Sequence, residues 1–108
     1  MNMETILEQT TSFRDDLLKD LRDTEFAMYY LETALADYKE DGNTDSLWMA
    51  LRDVVEAQGG IGKLAQRAKT DPQYLNDIFT SKQKPHLDNL QRILSGLGFQ
   101  IRLEFAEN

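Results

Sequence analysis

The segment GIGKLAQRAKTDPQYLNDIFT, residues 60–80, decides the fold. Its apolar residues recur every three or four positions, stop at Lys69, and resume at Leu75. Between the two runs, the Asp71 carboxylate can cap the amides of a new helix, and Pro72 suits a first helical position. The spacing therefore predicts two short helices joined by a tight turn. In such a helix-turn-helix unit, the second helix enters the DNA major groove by its N-terminal residues.

Four further helices are predicted from apolar residues at helical spacing. Three precede the motif, at about residues 13–22, 24–39 and 44–58, and one follows it at about residues 85–97. The indole of Trp48 is expected to pack between the N-terminal helices and the motif. The apolar stripe of the first helix would consist of Phe13, Leu17, Leu18 and Leu21.

The spacing of the apolar residues changes in the last ten residues. Phe99, Ile101, Leu103 and Phe105 alternate with polar residues, a pattern typical of a half-buried strand. A lone strand leaves backbone donors and acceptors unpaired, so its partner should come from a second molecule. A symmetric dimer joined by a two-stranded antiparallel ribbon is the simplest arrangement, and addition to the sheet of a partner protein is the alternative.

Together these elements predict a mainly α fold, a helix-turn-helix bundle with an N-terminal helical extension and one C-terminal β-strand. The expected domains are an acidic N-terminal helical extension at residues 1–46, packed on the core, a helix-turn-helix DNA-binding domain at 47–98, and a dimerisation strand at 99–108.

Charge is divided unevenly along the chain, whose net charge is −7. Residues 1–46 carry four basic and twelve acidic side chains, a net charge of −8, whereas residues 47–98 carry seven basic and five acidic ones, a net charge of +2. This division indicates two different partners, one basic and one anionic. The absence of cysteine and of any long apolar run favours a cytoplasmic protein that does not enter a membrane.

The predicted second motif helix carries polar side chains suited to DNA. Glutamine and asparagine can pair bidentately with adenine, and flanking lysines and arginines can hold phosphates. An ordinary solvated helix face is the alternative. The candidate DNA-binding residues are Lys63, Arg67, Lys69, Gln73, Tyr74, Asn76, Asp77, Thr80, Lys82 and Lys84.

The acidic N-terminal segment is a candidate surface for a basic protein partner, since complementary charge raises association rates. Solubility alone is the alternative explanation. The candidate partner-binding residues are Asp16, Asp20, Asp23, Glu25, Glu32 and Asp37. Some aromatic residues of the same segment could be interface anchors, although core packing is favoured for most of them, and the four are Phe13, Phe26, Tyr29 and Tyr30.

The sequence gives little support for a catalytic function. The one histidine, His86, stands at a predicted helix start, and no Gly-rich loop follows a strand. Carboxylates are scattered along helix surfaces without histidine partners. We therefore expect neither an enzyme nor a metal or cofactor site.

Three segments resemble a known family: YLETALADYKEDG (30–42), LWMALRDVVEAQGGIGKLAQRA (47–68) and KPHLDNLQRILSGLGFQIRL (84–103). From Leu47 onward the chain is similar to lambda-repressor-like helix-turn-helix domains, and more closely it resembles the probable addiction-module antidote family, the HigA-type antitoxins. The resemblance implies an antitoxin that neutralises a small basic RelE/HigB-like ribonuclease toxin and represses its own operon by binding a double-stranded DNA operator.

Two residues depart from the family pattern. The turn position that is commonly glycine is Lys69 here, and Asp77 puts an anion on the recognition helix. The alternative functions are a stand-alone phage- or plasmid-type repressor without a toxin partner, and an interaction module that has lost DNA binding.

Overall fold

The computed structural model describes residues 13–81, 86–104 and 106, and its regular structure is helical. The first helix, α1, covers residues 13–20. It is followed by α2 (Thr24–Asp41), α3 (Thr44–Ala57), α4 (Gly60–Ala68), α5 (Pro72–Thr80) and α6 (Leu87–Gly96). The predicted start of the last helix at Pro85 lies outside the described residues.

The chain divides into two compact units, residues 1–60 and residues 61–108. In the first unit, α2 packs against α3. Trp48 is 6% exposed, in agreement with its expected role in packing. The other buried apolar residues of this unit are Leu21, Ala27, Leu31, Leu47, Ala50, Leu51, Val54 and Val55.

Local capping explains where the helices of the first unit begin and end. The Asp23 carboxylate accepts the amides of Glu25 and Phe26 at the start of α2. Gly42, with φ of 69°, ends that helix in the left-handed conformation that glycine tolerates best. The Asn43 side chain then caps α3 by accepting the amides of Asp45 and Ser46.

A polar network joins α1, α2 and α3. The Arg14 guanidinium lies 3.2 Å from Oδ1 of Asp53 and 2.7 Å from Oε2 of Glu56. The Tyr30 hydroxyl donates to Oδ2 of Asp53 at 3.1 Å. Nε2 of Gln58 donates to the carbonyl oxygen of Leu21 at 2.9 Å, which fixes the turn between α1 and α2. These contacts hold the acidic helices in a defined arrangement.

The second unit contains the helix-turn-helix. Its buried apolar side chains come from all three of its helices, and they are Leu64, Ala65, Leu75, Phe79, Ile93, Leu94 and Leu97. At the α4–α6 contact, a Cβ on Gly96 would stand 2.5 Å from Cδ1 of Leu64 and 3.2 Å from Cβ of Ala68. Any larger residue would require the buried Leu64 side chain and the Ala68 methyl group to shift, so glycine is the residue best suited to this close approach.

The turn of the motif is a Schellman arrangement built around Lys69. The Thr70 amide donates to the carbonyl oxygen of Ala65 at 3.0 Å, and the Lys69 amide donates to that of Gln66 at 3.4 Å. Lys69 has a φ of 53°, and it is the one non-glycine residue with positive φ among the described residues. The Asp71 carboxylate then accepts the Gln73 amide at 2.8 Å and starts α5. The predicted helix-turn-helix, its Asp71 cap and the unfavourable turn residue are therefore confirmed.

The predicted C-terminal strand is not supported. Residues 99–104 and 106 contain no strand, and Phe105 lies outside the described residues. The alternation of apolar and polar residues is real, but a strand exists only where its backbone pairs with another, and the described part of this chain offers no such partner. Instead, the Phe99 amide closes α6 by donating to the Leu94 carbonyl at 2.8 Å, next to Gly98 with φ of 91°.

A second correction concerns α1. Leu21 is fully buried, but Phe13, assigned by its spacing to the same apolar stripe, is 71% exposed. Helical spacing identifies residues that share a face without showing how far along the helix that face is covered. None of the described helices has the length and apolar character needed to cross a bilayer.

Candidate functional site

Helix α5 presents a continuous polar face. Leu75 and Phe79 are buried and hold the helix against its unit. The opposite side carries five of the candidate DNA-binding residues, all of them exposed: Gln73, Tyr74, Asn76, Asp77 and Thr80. This side of α5 is therefore polar and exposed to solvent.

Two of these side chains are bonded to each other. Nε2 of Gln73 donates to Oδ1 of Asp77 at 3.0 Å, across one turn of the helix. The Thr80 hydroxyl turns back to the backbone and donates to the carbonyl oxygen of Asn76 at 3.0 Å. Among the described residues, the Asn76 side chain makes no hydrogen bond. Asn76 is therefore the polar group of α5 most available for an outside partner.

Tyr74 is held by α6. Its hydroxyl donates to Oδ1 of Asn89 at 3.1 Å, and the guanidinium carbon of Arg92 lies 5.8 Å from the centre of its ring. The ring and the guanidinium line an open depression of about 520 Å³ beside the motif turn. Its other lining residues are Ala68, Lys69, Thr70 and Asp71. Sequence analysis missed Arg92, because nothing in the chain relates it to a tyrosine 18 residues earlier.

Exposed basic side chains lie on the helix before α5 and in the turn that joins the two. Lys63, Arg67 and Lys69 are exposed on α4 and the turn. None of the three forms an ion pair with another described residue, so their charges are free to meet an anion. The candidates Lys82 and Lys84 lie outside the described residues.

The six acidic candidates of the first unit are all exposed, and they lie on α1, on α2 and in the turn between them. Asp23 is partly committed, because one of its oxygens caps α2. The ion pairs found in the described part of the unit use Asp53 and Glu56 instead. The candidate carboxylates thus have no cation paired with them among the described residues.

Exposure separates the four aromatic candidates. Tyr30 is half-buried and bonded to Asp53, which makes it a structural residue. Phe13 and Tyr29 are each 71% exposed, and Phe26 is 43% exposed. These three rings are available to a partner, whereas sequence analysis favoured core packing for most of the group.

Shifted pKa values occur at the polar network of the first unit. Hydrogen bonding to Glu56, followed by that to Asp53, raises the pKa of the Arg14 guanidinium. Burial raises the pKa of the Tyr30 phenol, and the neighbouring Asp53 carboxylate adds to the shift. Within the described ranges, no group of three histidine or acidic side chains is arranged to hold a metal ion.

Comparison with known proteins gives one match. The sequence model of a family described as "probable addiction module antidote protein" matches residues 9–105. No curated protein and no solved structure matches the chain. Antidote proteins are the antitoxins of toxin–antitoxin modules, so they have a toxin as partner and are not enzymes. With nearly its whole length matched, the chain belongs to the addiction module antidote family.

Proposed function

We propose that this antitoxin neutralises a small basic RelE/HigB-like ribonuclease toxin and represses its own operon through the helix-turn-helix. The exposed, polar face of α5, with the cations on α4 and in the turn before it, carries the DNA part of the proposal. The candidate carboxylates of the first unit support the toxin part, because a basic partner gains from them in association rate. The family match favours an antitoxin over a stand-alone repressor.

In the DNA complex, Asn76 and Gln73 would contact base edges. Lys63, Arg67 and Lys69 would neutralise phosphates. Gln73 has to release Asp77 before it can pair with adenine, so Asn76 is expected to contribute more to sequence preference.

A homodimer would match a two-fold operator with two recognition helices. Its candidate contact residues are Phe99, Ile101, Leu103 and Phe105. Leu103 is 98% exposed and Ile101 is 44% exposed, which leaves apolar surface that a second copy can cover. Replacing both by serine should convert a dimer to a monomer in light scattering, and an unchanged mass would exclude this contact.

Co-expression with the adjacent reading frame tests the toxin part. The product should arrest growth alone, and this chain should restore growth and co-purify with it. A toxic product that this chain neither rescues nor binds would refute the proposal.

A mobility-shift assay with the DNA upstream of the operon tests repression. Asn76→Ala should lower affinity for that DNA far more than affinity for a scrambled duplex, whereas Lys63→Ala should weaken both equally and reduce the salt dependence. Asp88→Asn is the control, because it changes an exposed side chain of α6 that is not a candidate DNA-binding residue. Equal binding of both duplexes by the wild-type chain would argue against an operator.

A further inference from the structure

The outer face of α2 combines exposed aromatic rings with acidic side chains. Phe26 and Tyr29 are three residues apart, so their side chains are neighbours on the helix surface. Glu25 and Glu32 lie one turn before and after Tyr29 on one side of these rings, and Asp37 lies on the Phe26 side. The core face of the same helix is marked by the buried Ala27 and Leu31.

Both rings remain partly uncovered within the described part of the chain, Phe26 being 43% exposed. The Tyr29 hydroxyl makes no hydrogen bond to a described residue, and its side chain is 71% exposed. Tyr30, one position on, shows the opposite arrangement, since it is half-buried and bonded to Asp53. Partly apolar rings left in water cost free energy that burial in an interface recovers.

The negative charge of this face favours a basic partner over a second copy of the chain. A second copy would bring Glu25, Glu32 and Asp37 against the same carboxylates, and like charges brought together in an interface are strongly unfavourable. A basic protein surface would instead be attracted by carboxylates that have no cation paired with them among the described residues.

We infer that the outer face of α2 is the docking surface for the basic toxin, with Phe26 and Tyr29 as its anchors and Glu25, Glu32 and Asp37 as its charged border. This inference rests on the proposed antitoxin function and specifies the contact surface. Aromatic anchors surrounded by polar residues are the usual form of an interface hot spot. The rings then set the dissociation rate, and the carboxylates set the association rate.

The test uses the full chain and the purified product of the adjacent reading frame. The double variant Phe26→Ala/Tyr29→Ala should raise the Kd at least about thirtyfold, mainly through faster dissociation. Glu25→Lys/Glu32→Lys should slow association about tenfold or more at low salt, with a smaller effect at high salt. Phe26 is only 43% exposed and Glu25 lies in the first turn of α2, so both double variants should melt at a somewhat lower temperature, and the Kd is compared at a temperature where each variant is folded.

Matched controls lie in the second unit. Leu87→Ala removes a side chain that is 66% exposed, and Asp88→Asn removes an exposed charge. Both should bind as the wild type does.

The possible results are distinguishable. If the wild-type chain binds the toxin and the aromatic double variant binds equally well, the surface is wrong and the antitoxin function stands. If the wild-type chain itself fails to bind, both proposals fall. If the double variant instead changes the mass of the free chain in light scattering, the face belongs to a second copy and the inference is overturned.

Discussion

Nε2 of Gln73 lies 3.0 Å from Oδ1 of Asp77, so two exposed polar residues of α5 are bonded to each other. The pair spans one turn of α5 and stabilises the helix by roughly 0.2–0.5 kcal/mol. In the proposed DNA complex, this bond would also withhold the glutamine amide from the bases and keep a negative charge on the exposed face of α5.

Asp77→Ala should therefore strengthen DNA binding. The variant frees Gln73 and removes repulsion that amounts to roughly 1 kcal/mol for a charge about 4 Å from a phosphate in water. A mobility-shift titration at low salt should show the operator Kd falling about fivefold. Glu104→Ala, which removes an exposed charge outside the helices, should leave the Kd unchanged. Weaker binding by Asp77→Ala would show that the carboxylate contacts the DNA itself.

Lys69→Gly should stabilise the chain. A non-glycine residue in the left-handed region costs about 1–2 kcal/mol, and the greater freedom of glycine in the unfolded chain offsets about 0.5–1 kcal/mol of that. We expect the free energy of unfolding to rise by roughly 0.5–1 kcal/mol in a urea titration. A loss of stability would mean that the Lys69 side chain makes a stabilising contact.

Lys69→Asn separates conformation from charge at the same position. Asparagine tolerates positive φ better than most residues, so the turn should persist, but the cation is lost. If Lys69 contacts a phosphate, the slope of log K for DNA binding against log salt concentration should fall in magnitude by about 0.9 in both Lys69→Gly and Lys69→Asn. An unchanged slope would remove Lys69 from the DNA surface.

Gly96→Ala should destabilise the second unit. The added methyl group meets Cδ1 of Leu64 at 2.5 Å in a buried contact, and overpacking of this kind typically costs about 1–3 kcal/mol. Gly62→Ala is the matched control, because a Cβ there meets nothing within 4 Å and alanine favours the helix by roughly 0.4–1 kcal/mol. Thermal melts should shift in opposite directions, and a shift in the same direction would contradict the close α4–α6 contact.

Tyr30→Phe should lower stability at neutral pH by about 0.5–1.5 kcal/mol, the value of one hydrogen bond. The pKa of Tyr30 is higher in the folded chain than the value of about 10 in the unfolded chain. The folded state therefore favours the protonated phenol, and this stabilisation is present below pH 10 or so and lost as pH rises through the higher folded pKa. The difference between wild type and variant should accordingly disappear in strongly alkaline solution.

Urea titrations across that pH range measure the difference directly. Tyr29→Phe is the control, since its hydroxyl has no partner among the described residues, and it should change little at any pH. A Tyr30 difference that stays constant up to pH 11 or so would contradict the raised pKa of the Tyr30 phenol.

Local signals predicted the helix-turn-helix correctly. Asp71, Pro72 and the glycine at 42 act through the nearest few residues, so their effects can be inferred from the chain. The Gln73–Asp77 hydrogen bond could also have been predicted from the sequence, since glutamine and aspartate four residues apart are neighbours on any helix.

Contacts between distant residues could not be predicted. Arg14 meets Asp53 and Glu56 across 39 and 42 residues, and Tyr74 meets Arg92 from another helix. The prediction of a C-terminal strand failed for a related reason. Alternation of apolar and polar residues indicates the two faces of a strand, but it does not identify the strand that pairs with it. Which of several charged or aromatic residues faces a neighbour depends on how helices pack, and spacing along one helix does not specify that.

The Asp71 cap has a consequence for ionic interactions. A helix start normally offers free amides and a partial positive charge to an incoming anion. Here the carboxylate already accepts the Gln73 amide, so the chain supplies its own counter-ion at the tip of α5. A phosphate approaching that tip meets a fixed negative charge, so contacts to the DNA backbone would have to come from long, flexible cationic side chains. Such contacts tolerate small changes in duplex geometry and weaken as the salt concentration rises.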